Sequence, residues 1–146
     1  MTTVELTSGL KILPVIVDGW DTGRTVNFNP VDQEFAEELY ALVYRIGEIH
    51  KTKNKARAAE TDVLKKFEIN RAEDREMREA VDVVFGDGFS NDVFKVRLFA
   101  ISDNGLTMVE NFLFSLLDEL DEATTARIAK RDSQIHKYTA KYRKYS

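Results

Sequence analysis

The chain has 146 residues, 43% hydrophobic and 32% charged, with 21 basic against 25 acidic side chains for a formal net charge of -4. That length fits one domain with a real core, and the near-balanced charge supplies no global field to favour nucleic acid. With no cysteine, disulfides, thiolate catalysis and cysteine-ligated zinc are excluded, which fits a reducing compartment.

The N-terminal stretch has no basic region ahead of an apolar run, and its longest apolar segment, Ile12 to Val17, is interrupted by Pro14. It is too short for a signal peptide or a membrane span, so the expected location is the cytoplasm. Residues 4 to 28 read as strand. Val4 to Thr7 and Leu10 to Val17 flank a Ser8-Gly9 turn pair, and Thr25 to Phe28 alternates with Val26 and Phe28 on one face. Pro14 lacks an amide hydrogen, which places its strand at an edge or a bulge. Asp18-Gly19 and Asp21 to Gly23 are turn material. The expectation is a hairpin or small three-stranded antiparallel sheet, too marginal to stand alone and therefore laid on something apolar.

Asn29 is placed to cap a helix with Pro30 at its first position. Asp32, Glu34, Glu37 and Glu38 suit the helix dipole, and Phe35, Leu39, Leu42, Ile46 and Ile49 form an apolar stripe that Val43 widens. The stripe fails at Lys51, Lys53, Lys55 and Arg57, where a solvated rod and a break at Asn54 are both open. Val63, Leu64 and Phe67 resume it. Asn70 with Glu73 reads as a capping box opening a further helix through Met77, Ala80, Val81, Val84 and Phe85. Gly86-Asp87-Gly88 ends that helix. Ser90 is placed to cap a short one through Phe94, Leu98 and Phe99, stopped by Asp103-Asn104-Gly105. Thr107 and Glu110 form a second capping box before Val109, Phe112, Leu113, Leu116, Leu117 and Leu120. No Gly or Pro follows Leu106, so the last helix is expected to run about 35 residues, roughly 50 Å. Residues 121 to 146 carry seven basic and three acidic side chains, net +4, leaving -8 on residues 1 to 120. The fold expected is α+β and mostly helical: a small N-terminal sheet packed on about four helices, the last one long. The chain divides as a β-segment (1–28), a helical bundle (29–120) and a charged C-terminal helical extension (121–146) of a single domain.

No residue pattern marks catalysis, and no catalytic, cofactor-binding or metal-ligating residue is assigned. His50 and His136 lie far apart without metal-ligand spacing and read as solvated surface histidines. No Gly-x-Ser-x-Gly elbow supports a nucleophile. "DGWDTGRT" and "FGDGFSND" lack the spacing of a calcium loop and read as turns. Trp20 reads as a staple over the sheet edge. The basic clusters at Lys51 to Arg57 and Lys137 to Lys144, the second interleaved with tyrosines, resemble nucleic-acid contacts in type, but the acidic remainder of the chain opposes that use. Ile128, Ile135, Tyr138, Tyr142 and Tyr145 fall on one heptad-like seam with Arg131 as its odd member. Two readings of it stand: packing on the chain's own bundle, or gripping a partner helix or second subunit.

The segment "TVNFNPVDQEFAEELYALVYRIGEI" resembles the junction in small tail assembly chaperones of bacteriophages with long, non-contractile (siphovirus-type) tails, chiefly those infecting Gram-positive bacteria. Their pattern is a short β-segment, then Phe-(Asn/Asp)-Pro-x-Asp, then an amphipathic helix beginning near a Phe. Phe28, Asn29, Pro30, Asp32 and Phe35 occupy those places here. The basic middle helix, the turn at Val84 to Gly88 and the acidic-then-basic last helix extend the likeness of layout over most of the chain. The resemblance implies a non-enzymatic protein without cofactors that binds and solubilises the tape measure protein until tail tube subunits polymerise around it. It also implies action in the bacterial host's cytoplasm, absence from the mature virion, and a longer frameshifted form of which this chain is the short one. The junction would be a joint docking the sheet on the bundle, with Phe28 and Phe35 buried. No membrane is involved, and monomers, dimers and rings all fit the seam. The alternative is a structural virion component, such as a head–tail connector or tail completion protein, or another oligomeric interaction module.

Overall fold

A computed structural model of the chain describes residues 2–145, with side chains described through residue 141. The architecture is α+β: a two-stranded antiparallel hairpin followed by four helices. The strands are β1 (Lys11–Val17) and β2 (Trp20–Phe28), and the helices are α1 (Gln33–Ala59), α2 (Val63–Phe85), α3 (Phe89–Val93) and α4 (Met108–Tyr145).

The hairpin closes through Asp18-Gly19, not Ser8-Gly9. Both turn residues have positive φ, 50° and 79°, the conformation of a two-residue turn whose twist matches that of the flanking strands. Val4 to Leu10 forms no strand, and Val4 and Leu6 are exposed; among the described residues no third strand assembles. Pro14 lies where the register slips, between Pro14↔Thr25 and Ile16↔Asp21. Asp21 to Gly23, expected as a turn, is absorbed into β2 as this bulge. Thr22 donates from Oγ1 to the Val15 carbonyl at 2.7 Å, and the Asp21 carboxylate accepts from the Gly23 amide at 2.9 Å. Alternation puts Leu13, Val15, Val17, Val26 and Phe28 against the core and leaves Ile12 and Ile16 outside.

Asn29 does not cap α1. Its carboxamide accepts from the Val31 amide at 3.2 Å, its carbonyl accepts from the Asp32 amide, and α1 starts after Asp32, whose carboxylate accepts from the Glu34 amide at 3.0 Å. The reason is local: an Asx turn at Asn29 leaves Asp32 extended and ready to cap. The apolar stripe of α1 is as read, with Leu39, Leu42, Ile46 and Ile49 buried. Past it, α1 continues unbroken to Ala59. The basic run is held there by α2: Lys53 pairs with Glu76 at 2.7 Å and Arg57 with Glu73 at 2.8 Å. Asn70 and Glu73 therefore open no helix. They sit inside α2, which is capped by Asp62.

Gly86 ends α2 and Gly88 starts α3. Ser90 lies within α3 and not at its cap, because Gly88 takes the left-handed cap position and the Ser90 amide is bound by the Asp82 carboxylate at 2.8 Å. The helix stops at Val93, so Leu98 and Phe99 lie in the following loop. The capping box at α4 forms as expected: Thr107 accepts from the Glu110 amide at 3.2 Å, and Glu110 accepts from the Thr107 amide at 2.9 Å. One core joins all elements. Phe112 of α4 meets Phe85, Phe89 and Phe94, each with ring centroids under 6 Å away.

Candidate functional site

Three places in this fold concentrate unusual side chains: the junction at Phe28 to Phe35, a buried carboxylate between α1 and α2, and the free half of α4.

At the junction, Phe28 stacks on Phe35 with centroids 5.0 Å apart and planes 13° from parallel. Phe28 is buried and Phe35 is half-buried. From α4, Thr124 donates to the Pro30 carbonyl at 2.8 Å and Arg127 to the Asn29 carboxamide at 3.0 Å and the Gly9 carbonyl. Gly9 fits this contact because a β-carbon there would meet the Arg127 guanidinium within 3.0 Å, and its φ is 77°. Lys11 pairs with Glu119, fastening β1 to the same helix. The Phe-Asn-Pro-x-Asp segment is thus a joint at which hairpin, α1 and α4 meet, stabilised by ring stacking and charge-assisted hydrogen bonds.

Between α1 and α2, Glu73 is fully buried. One carboxylate oxygen lies 2.6 Å from Nδ1 of His50, and the other accepts from Arg57 at 2.8 Å. Asn54 closes the ring, its oxygen accepting from Arg57 at 2.6 Å and its nitrogen lying 3.1 Å from Nε2 of His50. His50 is therefore not the solvated histidine expected from the sequence; the α1 stripe carries it inward one turn after Ile46. The network fixes the antiparallel packing of α1 on α2, with a buried charge that is fully partnered. A sequence signal for it existed: Glu73 lies four residues before Met77 and eight before Val81, on the buried stripe of α2. His136 lies on the exposed end of α4.

The free half of α4 carries the seam. Ile128, Ile135 and Tyr138 are 53%, 52% and 61% exposed, and every described side chain from Ile128 to Lys141 is exposed. Packing of this segment on the chain's own bundle, one of the two readings above, does not occur for these residues, because α4 outruns the body past Arg127. Tyr142 and Tyr145 lie outside the residues whose side chains are described. Lys137 and Lys141 approach the Tyr138 ring, 5.8 and 5.6 Å from its centroid, so aromatic and basic character share one surface. The seam runs on into a groove of about 440 Å³ between the start of α1 and α4, lined by Pro30, Val31, Tyr40, Leu117 and Ile128 with Asp32 and Asp121. Sequence reading found the seam and missed the groove, whose walls are about ninety residues apart in the chain.

Trp20 is 79% exposed at the first position of β2, so it covers too little to staple the sheet edge; it stands beside a cleft that it lines with Val17, Val93 and Met108. Among the described residues, no group of three or more His, Cys, Asp or Glu is arranged to hold a metal ion, and no helix is long and apolar enough to cross a membrane. In comparisons with known proteins, no family model, no curated protein and no solved structure matches the chain.

Proposed function

We propose that this chain is a non-enzymatic tail assembly chaperone of a bacteriophage with a long non-contractile tail. It binds the tape measure protein in the host cytoplasm and keeps it soluble while tail tube subunits assemble, without entering the finished virion. The observation that carries this reading is the exposed seam of Ile128, Ile135 and Tyr138 on a helix that projects from the body. A row of apolar side chains at heptad spacing with no cover of its own is a surface for another helix. A tape measure protein, long and helical, exposes stripes of that kind. The acidic body supplies the charge that keeps such a complex in solution. The joint at Phe28, Asn29, Pro30, Asp32 and Phe35 supports the same reading through its likeness to the junction of those chaperones, with the role of docking sheet on bundle.

The test is affinity capture of the chain from cells that also express its neighbouring genes, with mass spectrometry of purified particles. Capture of a very long helical protein, with the chain absent from particles, is the expected result. Stoichiometric presence in particles would make it a structural virion component instead. A slippery heptamer near the end of the coding sequence, with an overlapping frame, is a second expected finding.

A further inference from the structure

The groove between the start of α1 and α4 and the free half of α4 have opposite chemistry. The groove joins apolar Val31, Tyr40 and Leu117 to the carboxylates of Asp32 and Asp121. The free half carries Ile128, Ile135 and Tyr138 on one stripe with Lys141 on its flank, while Lys130 and Lys137, two residues past Ile128 and Ile135, lie on the far side of the helix; none of the three lysines forms an ion pair among the described residues. Along α4 itself, the sequence is acidic from Asp118 to Glu122 and basic from Lys137 to Lys144. Two such helices laid parallel would set acid on acid and base on base. Laid antiparallel, each acidic stretch faces the other's basic stretch.

We propose that the free half of α4 is the dimerisation element of this protein, pairing antiparallel with the same segment of a second copy. With the two-fold axis passing near Arg131 and Asp132, Ile128 of each copy lies opposite Ile135 of the other. The end of each helix then enters the other's groove, Tyr138 passing over Thr124 and Lys141 reaching Asp121. The contact is isologous and closes at two copies, since each supplies one tail and one groove. It accounts for a helical stretch, 128–141, whose described side chains are all exposed, when helices in water draw most of their stability from a packed apolar face. Self-pairing also covers the seam while no other helix occupies it.

The measurement is sedimentation equilibrium of the purified full-length chain over a range of concentrations, at low and high salt. A reversible dimer is expected, weakened by salt because charge selects the direction of pairing. The chain lacks cysteine, so an introduced thiol is its sole one. Under mild oxidation, Arg131→Cys is expected to give a disulfide-linked dimer, because residue 131 lies beside the axis. Tyr138→Cys is expected to give none, because its two copies lie far apart along the helices. Asp121→Lys, an exposed site, is expected to weaken the dimer about tenfold, about 1.4 kcal/mol, and adding Lys141→Asp is expected to restore it. Three outcomes overturn the proposal: a monomer at all concentrations, linkage through Tyr138→Cys as ready as through Arg131→Cys, or a dimer indifferent to Asp121→Lys. The pairing concerns the purified chain alone, so its failure leaves the tape measure reading standing, and failed capture in cells leaves the dimer standing.

Discussion

At the scale of single residues, two buried polar groups act in opposite ways. Glu73 has both carboxylate oxygens occupied, by His50 and by Arg57. Removing one partner strands part of a buried charge, which costs more than the pair itself contributes. Arg57→Ala is therefore expected to lose about 3 kcal/mol of unfolding free energy, measured by urea denaturation with an unchanged slope. Ser90 is also fully buried, but its hydroxyl has no hydrogen-bond partner among the described residues. Its amide and carbonyl do the structural work, binding Asp82 and Arg78. Ser90→Ala removes only the unpaired hydroxyl, so stability is expected to hold or rise by up to about 1 kcal/mol. A loss above that in the same denaturation experiment would show that the hydroxyl has a partner after all.

At the scale of elements, the helix starts differ in what holds them. The reciprocal box of Thr107 and Glu110 satisfies two otherwise orphaned amides at the head of α4. Thr107 is buried as well. Thr107→Ala is expected to lower stability by about 1 kcal/mol, seen as a lower thermal midpoint with helical signal retained below it. The first helix, by contrast, starts where a turn delivers Asp32. The pattern Asn-Pro suggested an earlier start because both residues favour helix entry. Once the Asn29 side chain is engaged by Val31, Ser8 and Arg127, it is no longer free to cap. The same competition explains α2: Asn70 and Glu73 match a capping box in type and spacing, but Asp62 caps eight residues earlier and their side chains turn to Arg57.

At the scale of the whole molecule, body and free helix are separable in energy. The core ends near Ala123, the last buried side chain of α4, and the seam lies beyond it. Ile135→Asp combined with Tyr138→Asp is therefore expected to leave the thermal midpoint within about 2 °C of the parent when both are measured at a concentration where the chain is monomeric, since exposed substitutions rarely exceed half a kcal/mol. The same double variant is expected to lose capture of its helical partner at least tenfold. A large fall in midpoint for the monomer would show that the seam is packed on its own body, and undiminished capture would move the binding surface elsewhere.

What the amino-acid order determined by itself is what rests on near neighbours. The stripe of Leu39, Leu42, Ile46 and Ile49, the Thr107 box, the length of α4 and the seam at Ile128, Ile135 and Tyr138 all follow from spacing within a few turns, where period and capping act. The α+β class follows from the switch of period after Phe28. Tertiary structure alone decided the rest. The basic run from Lys53 to Arg57 stays helical because Glu73 and Glu76 come to it from another helix. His50 is half-buried and turned onto α2 because the Glu73 carboxylate meets it there. The Asn29 joint is set by Arg127, 98 residues away. In each case the deciding partner is distant in sequence, and buried charge is tolerated only where that partner arrives.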